Sequence, residues 1–209
     1  MEVNGEERTG RRTQAERTAA TRAALIAAAR RLFADHGYAG VGTQAIVEAA
    51  GVTRGALYHQ FGDKRGLFEA VFDAVEEESI GAAGRAAVAA AEDLGPVDTM
   101  LVAVDTFMAA IADPGVTRIT MIDAPAVLGW DGWRARGEKY GLAVIEALLA
   151  AAMEQGHIAA EPTRPLAHAL LGMLDESALY ITRADDSDAA LAEMRAVIAR
   201  VVRGLMLPQ

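Results

Sequence analysis

Residues 43–67, TQAIVEAAGVTRGALYHQFGDKRGL, constrain this chain more than any other stretch. Thr43 is placed to cap a short helix, its hydroxyl accepting from a free backbone amide one turn in. Ile46, Val47 and Ala50 then share one helical face. Gly51 follows, where the left-handed residue that ends a helix is usually glycine. Thr53 can cap a second short helix whose core contacts are Leu57 and Phe61. Asp63 can cap a third, which carries Leu67, Phe68, Val71, Phe72 and Val75 at helical spacing. Two short helices meeting at a turn of about three residues form a helix-turn-helix, whose second helix docks in the DNA major groove. The spacing therefore names duplex DNA as a partner.

In the second helix Thr53, Arg54, Gly55, Tyr58, His59 and Gln60 point away from Leu57 and Phe61. Arg54 can bind guanine through N7 and O6 together, and Gln60 can donate to a phosphate or read an adenine edge. Gly55 lets the backbone approach the groove. Gln44, one position inside the first helix, is within reach of a phosphate or a base edge. The competing reading of these residues is solvated polar surface and helix caps. For Thr43 and Thr53 both readings hold, because capping and phosphate binding use the same helix end.

The net charge of −9 is uneven. Residues 1–66 carry ten Lys/Arg against seven Asp/Glu, whereas residues 67–209 carry ten against twenty-two. Phosphate affinity depends on charge at the docking face, and an acidic remainder repels DNA from the other surfaces. Two modules with different partners are expected: a DNA-binding domain over 14–66 and a helical effector-binding and dimerisation domain over 67–209. Arg8, Arg11, Arg12, Arg17 and Arg22 read either as a flexible arm along the DNA or as a solvated tail.

The fold class is all-α. Alanine, the best helix former, dominates a composition that is 52% hydrophobic, and no stretch sustains strand-like alternation. The chain has no cysteine, so disulfides and cysteine-held metal are excluded. No run of about 18 apolar residues appears, and the polar N-terminus lacks a signal-peptide core, so a cytoplasmic protein without membrane contact is expected. Helices are predicted over about 14–35, from Asp63 to about Ala91, from Pro96 to Ile111, and over 133–155, 164–183 and 189–206. Residues 116–135 have no clear pattern.

The stretch Gly51-Val52-Thr53-Arg54-Gly55-Ala56-Leu57-Tyr58, then Phe61, then Asp63-Lys64-Arg65-Gly66-Leu67, resembles the tetracycline-repressor-like (TetR) transcriptional regulators. The preceding helix fits as well, with Leu25, Ala28, Ala29, Leu32 and Phe33 ending at Asp35-His36-Gly37-Tyr38. The resemblance covers residues 17–70, about a quarter of the 209 residues. Gln60 departs from it, because many members carry His or Tyr there. The resemblance implies a sequence-specific transcriptional regulator, by family habit a repressor released from its operator by a small molecule. It also implies that Tyr58, Lys64 and Thr43 grip phosphates.

The last helix carries an apolar stripe, and its neighbour carries another. From spacing alone these stripes serve either the domain's own core or a second subunit. The resemblance implies a homodimer in which the final two helices of each subunit pair, giving Leu170, Leu174, Ile181, Met194, Val197, Ile198, Val201 and Leu205 as seam residues. A two-fold dimer reads a near-palindromic operator with half-sites about one DNA turn, ~34–36 Å, or a multiple of it apart.

Phe107, Met108, Ile111, Met121, Trp130, Trp133, Tyr140, Met173 and Tyr180, with the carboxylates Asp123 and Asp175, are candidates for an effector pocket. Ordinary core filling is the competing account of each. The effector itself is unknown from the sequence, and no cofactor is expected. His36, His59, His157 and His168 share no metal-ligand spacing, and no nucleophile or phosphate-loop motif occurs, so no enzyme is expected. The rival readings are a helical small-molecule-binding enzyme, which a stoichiometric cofactor would reveal, and an interaction protein without duplex affinity.

Overall fold

The computed structural model describes residues 13–207. Of the arginines read as a possible arm, Arg8, Arg11 and Arg12 lie outside the described residues. Arg17 and Arg22 stand on the first helix, and the Arg22 guanidinium packs 4.5 Å from the Phe61 ring centroid.

Helix α1, Gln14–Gly40, starts at a reciprocal cap: Thr13 accepts from the Glu16 amide while the Glu16 side chain accepts from the Thr13 amide. It is interrupted at Gly37, whose φ of 71° is left-handed. Helix α2, Thr43–Ala50, ends at Gly51 with φ 65°. Helix α3, Arg54–Phe61, is capped by Thr53, and α4, Lys64–Ala90, by Asp63, as their sequences predict. Thr43 differs from expectation. Gly42 holds the cap position of α2 and Thr43 is already inside the helix, so no side chain caps that end.

Gly81 and Gly84 do not break α4, because its inner face is held by Val75, Ala83 and Ala87. Helix α5, Pro96–Ile111, starts with proline where the missing amide costs nothing. Residues 116–135, without a clear pattern in the sequence, fall mostly in α6, Pro114–Leu128, which meets α5 at 82°, and run into the first turn of the next helix. Helix α7 follows over 130–154, then α8, Thr163–Thr182, and α9, Ser187–Gly204. Helices α6 and α7 each contain a wider π turn, at Arg118–Asp123 and Glu138–Leu142. The inserted residue of such a turn shifts the helical phase, which is why periodicity fails to read this region.

One apolar cluster joins Leu25, Phe33, Ile46 and Leu57 of the head to Phe68 and Phe72 of α4 and to Ile119 and Trp133 beyond it. Burying each such large side chain contributes roughly 1.5–3 kcal/mol. The packing thus runs across residue 66 without a gap. A second cluster fills the space between α5, α7, α8 and α9. Among the described residues no single helix is long and apolar enough to cross a membrane.

Candidate functional site

In the head, α2 buries Ile46 and Val47 and α3 buries Leu57, which turns the other faces outward. Thr53, Arg54, Gly55 and His59 are exposed, Tyr58 is 40% exposed, and Gln60 is half-buried. Arg54 Nη2 donates to Tyr58 Oη at 3.2 Å, with its guanidinium 5.5 Å from the ring centroid. That hydrogen bond, followed by the influence of the Thr43 hydroxyl, lowers the Tyr58 pKa below the ordinary tyrosine value. The start of α2 at Thr43 therefore lies beside the outer edge of α3 at Tyr58. Gln44 is exposed and donates to Glu48 Oε1 at 2.7 Å. The two loose ends of the motif thus present a continuous polar edge from Thr43 to Arg54.

Lys64 is less open than its sequence position suggests. Its Nζ lies 4.1 Å from the Tyr38 ring centroid, and burial lowers its pKa against the attraction of Asp123. Tyr38 packs in turn on Phe33 and Phe68. Lys64 thus combines packing at the base of the head with its charge.

A cavity of about 90 Å³ lies between α4, α5, α7 and α8. Of the expected pocket residues, Phe107, Met121, Trp133, Met173 and Asp175 line it. The others do not. Met108, turned about 100° from Phe107, and Ile111, one turn further on at the end of α5 where it joins the cluster of the head, are buried in the protein core. Trp130 is 66% and Tyr180 49% exposed. Tyr140 pairs at the surface with Lys139 Nζ at 3.0 Å. Asp123 accepts from the Tyr38 amide instead.

Two charged residues of the wall were not singled out from the sequence, Glu76 and Arg134. Arg134 Nη1 donates to Asp175 Oδ2 at 2.6 Å. Burial of Asp175 raises its pKa, which Arg134 opposes. Glu76 is 8% exposed, and burial, then Asp175 and Asp73, push its pKa to about 7. A signal for Glu76 existed. It falls on the stripe Phe72, Ser79, Ala83, Ala87 that α4 turns inward, although it reads first as part of an acidic run. Beside the cavity Arg136 ties α7 to α4 through Glu69 at 3.1 Å and Asp73 at 3.2 Å.

Helix α9 carries two apolar stripes. Ala190, Ile198 and Val202 face inward, while Val197 and Val201 are 39% and 43% exposed, flanked by half-buried Met194 and Leu205. Among the expected seam residues, Leu174, Ile181 and Ile198 are buried inside the protein and Leu170 lines the cavity. A one-residue step along a helix separates the two faces, and the spacing alone mixes them.

A polar recognition helix on a buried partner, joined to a larger helical body with its own apolar cavity, defines a helix-turn-helix DNA-binding regulator. Comparison with known proteins gives the family. The description "Bacterial regulatory proteins, tetR family" matches residues 25–71, and "Tetracyclin repressor-like, C-terminal domain" matches residues 97–205. A TetR-family transcriptional regulator of Pectobacterium atrosepticum superposes with a TM-score of 0.79 at 30% identity, covering 94% of this chain and 99% of that one. The chain belongs to the TetR family of transcriptional regulators.

Two curated relatives match through the head. The transcriptional repressor AcnR of Corynebacterium glutamicum is 47% identical over 51 residues, 24% of this chain and 27% of that protein. The transcriptional regulator CymR of Pseudomonas putida is 46% identical over 68 residues, 32% of this chain and 34% of that protein. The chain is thus matched to about a third or less of these curated relatives' length.

Proposed function

We propose that this regulator is a homodimeric repressor that holds a near-palindromic operator and releases it when a small molecule enters the cavity. The observation that carries the reading is the continuity of α4. It begins at Lys64 in the DNA-binding head and runs to Ala90, placing Phe72 and Glu76 on the cavity wall. A ligand that parts α4 from α5 and α7 changes the angle of the head. It does so only through different affinity for the two arrangements.

Residues 14–66 then supply the DNA contacts, with Arg54 reading a base and Thr43, Gln44, Thr53, Tyr58, His59, Gln60 and Lys64 as supporting contacts. Residues 67–209 supply the cavity and the seam. The exposed Val197 and Val201 support dimerisation through α9, because a solvent-facing apolar stripe gains by being covered. Such a protein works beside the chromosome, in the cytoplasm, and its role requires no catalytic step.

The test is fluorescence anisotropy with duplexes tiled across the DNA upstream of the protein's own gene. A single near-palindrome bound at least ~10³-fold more tightly than the rest is expected. Equal affinity for all tiles at every salt concentration would remove the regulator reading of the head.

A further inference from the structure

The chemical class of the effector follows from one residue, an inference that rests on the effector reading above. Glu76 stands one turn after Phe72 on α4, nine-tenths buried, on the wall of the cavity. Among the described residues no hydrogen bond or ion pair reaches its carboxylate. Of the other charged groups of the wall, Arg134 is bonded to Asp175 at 2.6 Å and also reaches Glu138 Oε1 at 3.6 Å, so its charge is already taken up by two carboxylates. Helices α5, α6 and α9 bring only apolar side chains to the wall. One unbalanced carboxylate therefore faces an otherwise apolar space.

A carboxylate that faces an apolar cavity without a protein partner has given up most of its hydration and received no counter-charge in return. A ligand carrying positive charge and N–H donors restores both, so it gains more at this place than an uncharged molecule of the same shape. Phe72, Phe107 and Trp133 add ring faces, which attract cations. A carboxylate ligand would meet repulsion from Glu76, with Arg134 already engaged. We propose that the effector is an apolar amine, a small aromatic or alkyl molecule with one protonated nitrogen held by Glu76.

The size of the cavity accounts for the switch. At about 90 Å³ it is smaller than the apolar cavity of ~150 Å³ that accepts benzene. A ring-sized amine held at Glu76 presses on the wall that α4 shares with α5 and α7, and α4 carries the head.

The test compares 2-phenylethylamine with ethylbenzene on the full chain at pH 8, for the natural protein and Glu76→Gln. Dissociation constants and operator affinity are measured together. The amine is expected to bind the natural protein at least about tenfold more tightly than the hydrocarbon, and Glu76→Gln to lose about tenfold for the amine alone. Equal affinity for the two probes, no binding of the amine, or full amine affinity in Glu76→Gln overturns the proposal. Ethylbenzene binding to the variant reports an intact cavity. Should the variant lose both probes, the preference shown by the natural protein decides alone. Ethylbenzene that binds and weakens operator affinity, with the amine inert, sinks the amine and keeps the effector reading. An amine that binds through Glu76 without altering operator affinity does the reverse.

Discussion

Asp123 Oδ2 accepts a hydrogen bond from the backbone amide of Tyr38 at 2.7 Å, joining α6 to the kinked end of α1. The kink turns at Gly37, φ 71°, where an added Cβ would stand 3.4 Å from Arg118 Nη1 and 3.6 Å from Asp123 Oδ2. Asp123 ends the π turn that also contains Met121, a cavity residue. Trp133, another cavity residue, donates from Nε1 to the Thr120 carbonyl in the same turn at 2.9 Å. The cavity wall thus has a second connection to the head beside α4.

Removing this bond tests the joint. Asp123→Ala leaves the part-buried Tyr38 amide without its acceptor, which costs about 1–3 kcal/mol. Urea unfolding is expected to show a lower midpoint with an unchanged slope. A midpoint equal to that of the natural protein would mean that solvent replaces Asp123 without loss.

At the DNA face, Arg54→Ala is expected to weaken the operator by about 1–3 kcal/mol and to relax preference at one base position. Lys64→Ala is expected to weaken all sequences alike and to reduce the salt slope by about one. Because Lys64 also packs on Tyr38, its loss should lower thermal stability as well. Anisotropy titrations at several salt concentrations separate the two variants. Natural affinity in both would show that the groove is read by another part of the head.

The head was legible because its signals are local. The caps at Thr53 and Asp63, the left-handed Gly51 and the buried Leu57 each depend on neighbours within a few residues. The fold class and the break at Pro96 are local in the same sense. The cavity was half legible. Phe107 and Met108 are both apolar, and only the tertiary packing decides which one faces the cavity. Arg134 and Asp175 lie 41 residues apart in sequence, so their pairing leaves no pattern in it. Tyr140 sits inside a π turn, where the period used to place it no longer holds.

Gly66 is the tightest point of the motif. A Cβ there would lie 2.1 Å from the Phe61 carbonyl oxygen, an overlap with backbone that no rotamer relieves. Gly66→Ala is expected to cost at least about 3 kcal/mol, or to push α4 away from the end of α3. Circular dichroism and operator binding check it. A variant with natural thermal stability and affinity would show that the turn between α3 and α4 is far softer than its packing suggests.

Val197→Glu and Val201→Glu place a charge on the outward stripe of α9. Both positions are open enough within one subunit for the carboxylate to stay hydrated, so the monomer should fold. In a paired seam the same charge costs several kcal/mol unless the subunits part. Sedimentation is expected to show a dimer for the natural protein and monomers for the variants. Dimers that persist in both would place the interface on another face.

Glu76 makes stability depend on pH in the direction opposite to most carboxylates. Burial, with Asp175 and Asp73 nearby, raises its pKa from 4.5 in the unfolded chain to about 7 in the folded protein. Between those values the folded state holds a proton that the unfolded state has released. Stability from this group is therefore full below about pH 4.5 and declines as pH rises toward 7, by roughly 3 kcal/mol in all. Glu76→Gln cannot ionise and loses this slope, while the other titrating groups cancel in the difference between the two proteins. Urea unfolding of both from pH 4.5 to 8 is expected to give similar stabilities at the acid end and a more stable variant at pH 8. A difference that stays constant across this range would mean that Glu76 is solvated, and titrates, as it does in the unfolded chain.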